Sequence, residues 1–347
     1  MRTVEILQSS LVVPSEDTPR EKLVLSNLDL VAVRKRNNTV YLFKNTEGAK
    51  DFFSVEVLKT ALAKALVLFY PFAGRHVVGS DGRDLVDCNA EGVLFVVARL
   101  DCTADSIQSE PMSPELEELF VPKVSHSSAP LHMSQIRHLK IRCSEGSNIT
   151  NVSTFVAVTA LVWKCYCIAQ GLAAETKSRL YFTADIRNRI QPPISDYFGN
   201  GVIRLSTTSE VSKITSSQIG VVAGSVKAVI NGLTDEFVRS FIDYVEVMRD
   251  KKMSVITDIS ESDLRVRTII GIPIYDIDFG WGNPQVVSWE RFTENRVVYL
   301  MNEPGKDAGI KVVVALDSPT MKQFQKVFYE ELLLADEENN RLEFSLQ

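Results

Sequence analysis

Apolar side chains recur at helical spacing in several stretches of the chain. In residues 54–70 they occupy positions 55, 57, 58, 61, 62, 65, 66 and 69, which form one face of an α-helix with Ser54 as its N-cap. Pro71 ends this helix. A second strong helix is predicted over 152–170, capped by Asn151 or Ser153 and ending near Gly171. Further helices are predicted at 114–120, 134–143, 216–231, 235–248 and 318–334, the last of these capped by Ser318.

Strands are predicted where β-branched and aromatic residues form short runs between turn-forming residues. These runs lie at 4–13, 28–33, 39–43, 85–86, 92–98, 180–184, 203–208, 268–272, 286–289, 297–301 and 310–316. The last two form a hairpin around a turn at 302–305, which contains Pro304 and Gly305. Residues 101–130 are rich in Ser, Pro and acidic side chains and are predicted to be mainly loop.

Strands and helices alternate along the whole chain. This order favours an α/β architecture over an all-helical or an all-β one. A chain of 347 residues is long enough for two domains, and the polar stretch 122–135 is the best boundary between them. The sequence therefore predicts two α/β domains.

Composition and charge narrow the classes of partner. The apolar fraction of 45% and the charged fraction of 24% are ordinary for a globular protein. The net charge of −6 does not suit binding to the negatively charged backbone of nucleic acid. No apolar run is long enough to span a bilayer. We expect neither a nucleic-acid partner nor a membrane partner.

The five cysteines lack the spacing of a metal site. Cys88, Cys102, Cys143, Cys165 and Cys167 form no Cys-x-x-Cys pair, and the four histidines are not clustered near them. Reduced, mostly buried thiols and no metal site are the expectation.

Six motifs follow one another in an order shared with a known family. They are Leu25-Ser26-Asn27-Leu28-Asp29, Tyr70-Pro71-Phe72-Ala73-Gly74-Arg75, Asp87-Cys88-Asn89-Ala90-Glu91-Gly92, Ser153-Thr154-Phe155, Asp185-Ile186-Arg187-Asn188-Arg189 and Asp278-Phe279-Gly280-Trp281-Gly282. Together they resemble the motifs of the plant BAHD acyl-CoA-dependent acyltransferases, and most closely those of the hydroxycinnamoyltransferase branch. The resemblance implies two chloramphenicol-acetyltransferase-like α/β domains with mixed sheets flanked by helices. We place them at residues 1–130, an incomplete N-terminal domain, and 131–347.

The family's His-x-x-x-Asp motif, whose histidine is the catalytic base, does not occur in this chain. Four residues after His76, His126, His132 and His138 stand Ser, Pro, Ile and Arg. The resemblance is interrupted near 130–134, so a block holding the catalytic histidine, its helix and the domain crossover is predicted to be absent. No catalytic residue is assigned; His126 and His132, beside the interruption, are the only candidates for a substitute base.

The resemblance assigns other residues supporting roles. Asp278, Phe279, Gly280, Trp281 and Gly282 are expected to form a structural turn, with the two aromatic rings packed beneath it. Arg187 or Arg189 corresponds to the arginine that pairs with the aspartate of the family motif. Without that aspartate, we expect the arginine to lack its partner.

Ligand contacts are expected at two further places. The helix that begins at Ser153 and Thr154 could meet a phosphate of CoA, although simple N-capping explains both residues equally well. Relatives that use shikimate or quinate tend to carry an arginine where this chain has Gly271, shortly before Tyr275. The missing guanidinium favours an amine or a neutral alcohol over a carboxylate-bearing acceptor.

The resemblance therefore implies an acyltransferase that moves a hydroxycinnamoyl-type group from CoA, its co-substrate, to a small amine or alcohol. It implies a monomeric, cytoplasmic protein without a bound cofactor. Because the base is absent, we expect impaired or no activity in this form. Two alternatives stay open: a non-catalytic relative that binds CoA esters or a partner protein, and a non-functional product of splicing or of a wrong gene boundary.

Overall fold

The computed structural model describes residues 4–31, 39–45, 48–100, 126–145, 149–250, 259–289, 296–303 and 309–345. The chain forms two compact units. The first contains Met1–Pro122 and Pro273–Arg291, and the second contains Lys123–Ile272 and Phe292–Gln347. The domain boundary at 130/131 stays a prediction. Residues 273–291, which come late in the sequence, belong to the same unit as the N-terminal part of the chain.

A six-stranded mixed sheet forms the centre of the second unit. Its strands are β7 (His126–Leu131), β8 (Lys177–Asp185), β9 (Val202–Glu210), β10 (Leu264–Thr268), β12 (Val297–Asn302) and β13 (Ile310–Ala315). They are ordered β7-β13-β12-β10-β8-β9. Strand β10 runs parallel to both of its neighbours, and every other pair is antiparallel.

Helices cover this sheet. They are α3 (Met133–Ser144), α4 (Thr154–Gln170), α5 (Val211–Ser216), α6 (Ile219–Asn231), α7 (Asp235–Asp250) and α8 (Ser318–Ser345). Helix α4 is the central one, because it contacts α3, α5, α6, α8 and strand β10. Its residues are therefore buried on nearly every side. It begins at the Ser153 cap and ends at Gly171, whose φ of 60° is left-handed.

Polar groups fix the orientation of α4 on the sheet. The Trp163 indole N–H donates to Ser178 Oγ at 2.9 Å, and the Ser178 hydroxyl donates to the carbonyl of Ser262 at 2.6 Å. The Tyr166 hydroxyl donates to the carbonyl of Glu261 at 2.6 Å. Each polar atom brought into the core by these large side chains thus has a partner, and burial costs little.

A charged cluster joins three helices of the second unit. Glu331 of α8 lies 3.2 Å from Arg142 Nη2 of α3 and 3.6 Å from Lys164 Nζ of α4. All three side chains are largely buried. Lys164 also donates to the carbonyl of Ser217. The cluster holds α8 against the rest of the unit.

The first unit consists of smaller pieces. Its strands are β1 (Val4–Val12), β2 (Lys22–Val24), β3 (Thr39–Leu42), β4 (Arg75–Val78), β5 (Asp84–Asp87), β6 (Val93–Leu100) and β11 (Val286–Trp289). They form a β1–β6 ribbon, a β3–β11 ribbon and a three-stranded β2-β5-β4 sheet. Helix α1 (Asn27–Leu30), helix α2 (Val55–Leu68) and a 3₁₀ turn (Tyr70–Ala73) connect them. As predicted, Ser54 caps α2.

Burial is distributed very unevenly between the units. Among the described residues, the buried hydrophobic side chains of the first unit are Val12, Leu28, Leu66, Ala73, Cys88, Trp281 and Val287. All the other buried hydrophobic side chains of the described chain belong to the second unit. The second unit therefore has a full α/β core, and the first has only small clusters.

Trp281 is the centre of the largest aromatic cluster in the first unit. It is 5% exposed and stacks on Phe53, with 5.8 Å between ring centroids. Phe43, Phe52 and Phe279 surround it at 5.5–6.5 Å. Beside the cluster, β11 pairs antiparallel with β3, from Val286 opposite Leu42 to Trp289 opposite Thr39. Residues 273–289 thus supply both an aromatic anchor and a strand to the N-terminal part of the chain.

Most of the predicted elements are confirmed, and five need correction, four of them here. Residues 28–33 are not a strand in their described part, because Ser26 and Asp29 form a capping box that starts α1. Strand β10 occupies 264–268 rather than 268–272, since the chain turns at Ile269–Ile272. The single helix predicted at 216–231 is the pair α5 and α6. Asp317, not Ser318, caps α8 by accepting the N–H of Thr320.

The segment 101–130 also differs from its prediction where it is described. Residues 126–130 belong to β7 instead of a loop, since they pair along β13 from Ala315 to Lys311. The helix predicted at 114–120 lies outside the described residues, as do Pro304 and Gly305 of the predicted hairpin turn. Strands β2 and β4 were not predicted, because each is short and bordered by polar or glycine-rich sequence.

The Trp281 cluster yields a prediction about stability. Replacing Trp281 with Ala removes the ring on which four phenylalanines pack and should destabilise the first unit by about 3–5 kcal/mol. In a urea titration followed by circular dichroism, we expect a new early transition, with the second unit's midpoint unchanged.

Two variants serve as controls for this experiment. Trp281→Phe keeps an aromatic ring and should lose less stability. Phe237→Ala removes an exposed ring from α7 and should change stability by less than about 0.5 kcal/mol. An unfolding curve for Trp281→Ala that coincides with that of the unmutated chain would contradict the assigned role.

Candidate functional site

The two histidines proposed as substitute bases, His126 and His132, each stand at the start of a secondary-structure element. His132 is the N-cap residue of α3 and is exposed; its backbone N–H donates to Gln135 Oε1 at 3.0 Å. His126 is the first residue of β7 and lies opposite Ala315 of β13. His132 therefore occupies the N-cap position of α3 through its backbone, a position that the sequence did not reveal.

The other two histidines were given no role by sequence reasoning, yet one is paired with a carboxylate. His76 Nε2 lies 2.6 Å from Asp84 Oδ1. In the β4–β5 register, Val78 is opposite Asp84 and His76 is opposite Val86, so His76 and Asp84 are diagonal neighbours on one face. The residues are eight positions apart, and only the hairpin pairing reveals the contact. His138 is buried within α3.

Arg187 is satisfied within its own unit. Its guanidinium contacts Asp185 Oδ1 at 3.3 Å and donates to the carbonyl of Gly199 at 2.8 Å. Gly201 permits this placement, because a Cβ there would lie 2.5 Å from Arg187 Nη1. The expectation that the arginine lacks a partner is therefore wrong for Arg187. Arg189 is exposed.

The segment Asp278–Gly282 is a compact turn held by one carboxylate. Asp278 Oδ1 accepts the backbone N–H of Gly280 at 2.7 Å and of Gly282 at 3.0 Å. These glycines have φ values of 96° and 92°, which disfavour any residue with a Cβ. The Asp278 carboxylate thus stabilises the turn, and the turn places Trp281 against Phe53 and the other rings of the aromatic cluster. The arrangement favours the structural role predicted from the sequence.

The helix start at Ser153 is an N-cap. Ser153 Oγ accepts the backbone N–H of Val156 at 3.2 Å, and Thr154 is the first helical residue. A shallow surface cleft of about 410 Å³ lies beside it. Four α3 residues, the C-cap residue Glu145 and Val152 line the cleft; Arg137 and Lys140 are its basic side chains, and Glu145 is its acidic one.

Gly271 stands in a turn where a side chain would be strained. The Ile272 N–H donates to the carbonyl of Ile269 at 3.0 Å, and Gly271 between them has a φ of 86°. Gly271 lies at the end of a segment of the second unit, whereas Tyr275 belongs to the first unit. The backbone requirement at Gly271 is an alternative to the acceptor argument made from the sequence.

The thiols show no metal-site geometry. Cys88, Cys143, Cys165 and Cys167 are free and buried, and Cys102 lies outside the described residues. Burial raises the pKa of Cys143 to about 12 and that of Cys167 to about 11, which leaves them unreactive as thiolates at neutral pH. Within the described ranges, no group of three metal-ligating side chains occurs. None of the described helices is both long and apolar enough to cross a membrane.

The sequence is similar to plant acyltransferases along nearly its whole length. It is 32% identical to putrescine hydroxycinnamoyltransferase 1 of Oryza sativa subsp. japonica, with 95% of this chain and 99% of that protein covered. It is 26% identical to shikimate O-hydroxycinnamoyltransferase of Nicotiana tabacum, with coverages of 94% and 99%. The alignment with the rice enzyme spans 443 positions, whereas this chain has 347 residues.

Solved structures show the same fold. Vinorine synthase superimposes with a TM-score of 0.70 at 16% identity, covering 92% of this chain and 96% of that one. TRI101 of F. sporotrichioides, complexed with coenzyme A and T-2, superimposes with a TM-score of 0.68 at 14% identity, covering 88% and 97%.

The profile of the Transferase family matches this chain twice, over residues 2–132 and 124–331. The two matches follow each other and overlap only at 124–132, so together they include nearly all described elements. Profile, relatives and fold agree with the motifs first noted in the sequence. The chain belongs to the Transferase family, that of the BAHD acyltransferases.

Proposed function

We propose that this chain descends from enzymes that transfer a hydroxycinnamoyl-type group from CoA to an amine or alcohol, and that in this form it does not turn over. One observation carries the proposal: none of its histidines is followed by aspartate at the family spacing. Of the four, His132 stands exposed at the start of a helix, His76 is paired with Asp84 and His138 is buried.

The chemistry explains why this absence matters. As the acceptor attacks the thioester carbon, its O–H or N–H proton must leave, and a neutral histidine within about 3 Å takes it. Donors must also stabilise the oxyanion that forms. A histidine at a helix start or on a strand edge could serve only if the acceptor were bound beside it. The helix that holds the base in the family is not part of this sequence.

Two findings support an absent block of sequence. The family profile matches in two parts whose overlap at 124–132 lies where the motif order is interrupted. The alignment with the rice relative has 443 positions for a chain of 347, so at least 96 positions have no residue of this chain opposite them. The scarcity of buried side chains in the first unit fits the same explanation.

An amine is the acceptor class that we favour. Gly271 provides no guanidinium for a carboxylate-bearing acceptor. The rice relative at 32% identity is named for putrescine, a diamine. The net charge of −6 also favours attraction of a cationic acceptor. We further propose that the protein is cytoplasmic.

The proposal is tested by an acyl-transfer assay with p-coumaroyl-CoA and a panel of amines, including putrescine, and neutral alcohols. We expect product formation at the rate of the reaction without protein, because no positioned base is present. The rice putrescine hydroxycinnamoyltransferase, assayed in parallel, shows that the substrates and conditions are competent.

The decisive contrary result would come from the histidine variants. Turnover above background that His132→Ala or His126→Ala abolishes would show that a substitute base operates. Turnover that both variants retain would also refute the proposal, because a different group must then act.

A second function, binding of a CoA ester without turnover, is favoured by the cleft beside α4. Arg137 and Lys140 line this cleft together with Val152, the residue before the Ser153 cap. The two cations suit a phosphate group, the neighbouring N-terminus of α4 adds to their attraction, and the Glu145 carboxylate in the same lining opposes it. The second unit, which contains all of these groups, also has a complete core.

Calorimetry distinguishes this function from an inert chain. If the cleft holds CoA, titration should give measurable heat, and the Arg137→Ala/Lys140→Ala variant should bind at least about tenfold more weakly, since two charge-assisted contacts are lost. Lys213→Ala, an exposed lysine of α5 that does not line the cleft, is the matched control. No heat at high micromolar CoA would reject the binding function.

A further inference from the structure

The two faces of the large sheet in the second unit differ in chemistry. On one face, Ser178 of β8 accepts the indole N–H of Trp163 from helix α4. Successive residues of a strand point to opposite faces, so Arg179 and Tyr181 of β8 point away from this helix. The face away from α4 therefore carries charged and polar side chains.

Four arginines surround a buried tyrosine, Tyr181, on the face away from α4. Arg179 is two residues before Tyr181 on β8, Arg265 is opposite Tyr181 on β10, and Arg267 is the next β10 residue on this face. Arg204 of β9 is a diagonal neighbour of Tyr181, at about 7–8 Å between Cα atoms. Tyr181 is 5% exposed, the arginines of β8 and β10 are half-buried, and Arg204 is exposed. We call the four arginines the arginine cluster.

Tyrosines hold two of the guanidinium groups against the sheet. Arg179 Nη1 donates to the Tyr181 hydroxyl at 2.8 Å, and Arg179 Nε donates to Thr208 Oγ1 at 3.3 Å. Arg267 Nη1 donates to the Tyr299 hydroxyl at 3.2 Å. Each guanidinium carbon also lies over the ring of its tyrosine, at 5.6 Å and 5.7 Å from the centroid. These two guanidinium groups are therefore preorganised, which lowers the entropic cost of binding an anion.

The acidic residues that β8, β9 and the start of β10 place on this face stand at the strand ends. They are Asp185, Glu210 and Asp263. Asp185 contacts Arg187 at 3.3 Å, Glu210 contacts Lys213 at 3.1 Å, and Asp263 accepts the backbone N–H of Ser260. The middle of the face thus carries concentrated positive charge, although the chain as a whole has a net charge of −6. Like charges at this spacing repel, and a bound polyanion would offset the repulsion.

We propose that the arginine cluster binds a small molecule through a pyrophosphate group. A carboxylate carries one charge and can engage only one guanidinium fork fully, whereas a pyrophosphate has several charges and enough oxygens for several forks. The exposed hydroxyls of Thr183, Ser206 and Thr208 are additional donors on the same face. The cluster shares no residue with the cleft beside α4 or with the motifs assigned to acyl transfer, so it is independent of both proposed functions.

Calorimetric titration of the full chain with inorganic pyrophosphate tests the proposal. We expect measurable heat, and Arg179→Gln/Arg204→Gln should weaken binding at least about tenfold, because two charge-assisted contacts are lost. Lys322→Gln/Lys326→Gln removes the same charge from exposed positions of α8 and should stay within about twofold of the unmutated chain. Circular dichroism melting shows whether each variant is folded. If the arginine double variant unfolds, Arg204→Gln alone, at an exposed position, should still weaken binding at least about threefold.

Titration with CoA, which contains a pyrophosphate, identifies the source of that group. The titration uses the Arg137→Ala/Lys140→Ala background, in which the cleft beside α4 no longer competes. CoA binding that Arg179→Gln/Arg204→Gln weakens assigns the cluster to CoA. CoA binding that these substitutions leave unchanged, or no CoA binding, assigns it to another pyrophosphate compound.

Three results with inorganic pyrophosphate would overturn the proposal. They are no heat at about 1 mM ligand, binding that the arginine substitutions do not weaken, and binding that the α8 lysine substitutions weaken equally. The last result would mean that only the overall charge of the chain matters.

Discussion

The packing of Trp281 among Phe43, Phe52, Phe53 and Phe279 is the interaction on which the first unit depends. The tryptophan comes from a segment far along the chain, and three of its partners come from the N-terminal part. The adjacent β3–β11 pairing adds backbone hydrogen bonds to the same connection. Because few other side chains of this unit are buried, the contribution of one indole ring is unusually large.

The turn at Asp278–Gly282 holds the indole ring of Trp281 in place. Its glycines adopt backbone angles that other residues avoid, and the Asp278 carboxylate fixes both amides. The residues of the Asp278–Gly282 motif are therefore accounted for by the local structure that they form. The His-x-x-x-Asp motif, to which the family resemblance assigns catalysis, does not occur in this sequence, whereas the fold of the family is retained. The complete sheet of the second unit shows how much of the fold remains.

Sequence reasoning worked best where local signals and tertiary structure agree. Helix α4 was predicted almost to the residue, because it has a serine cap, a long apolar run and a terminal glycine. The segment 28–33 failed because Ser26 and Asp29 form a capping box that overrides the β-propensity of the apolar residues. The Asp317 cap was missed since Ser318, an equally good capping residue, follows it directly.

The contacts of the motif residues could not be predicted from the sequence. The family motifs selected Arg187, yet its contacts with Asp185 and Gly199 depend on the return of the chain at β9. The His76–Asp84 contact depends on strand register, which no residue spacing reveals. Likewise, residues 273–289 join the first unit through contacts between positions more than 200 residues apart, far beyond the range of periodicity.

Hydrogen–deuterium exchange of the full chain tests the central claim. The claim is that the second unit has a complete core, whereas the first unit is held together mainly by residues 273–289. We expect slow exchange in β10, β12 and α4, intermediate exchange in β3 and β11, and fast exchange in β1 and β6. Protection of β1 and β6 equal to that of β12 would contradict it, because the first unit would then possess a core of its own.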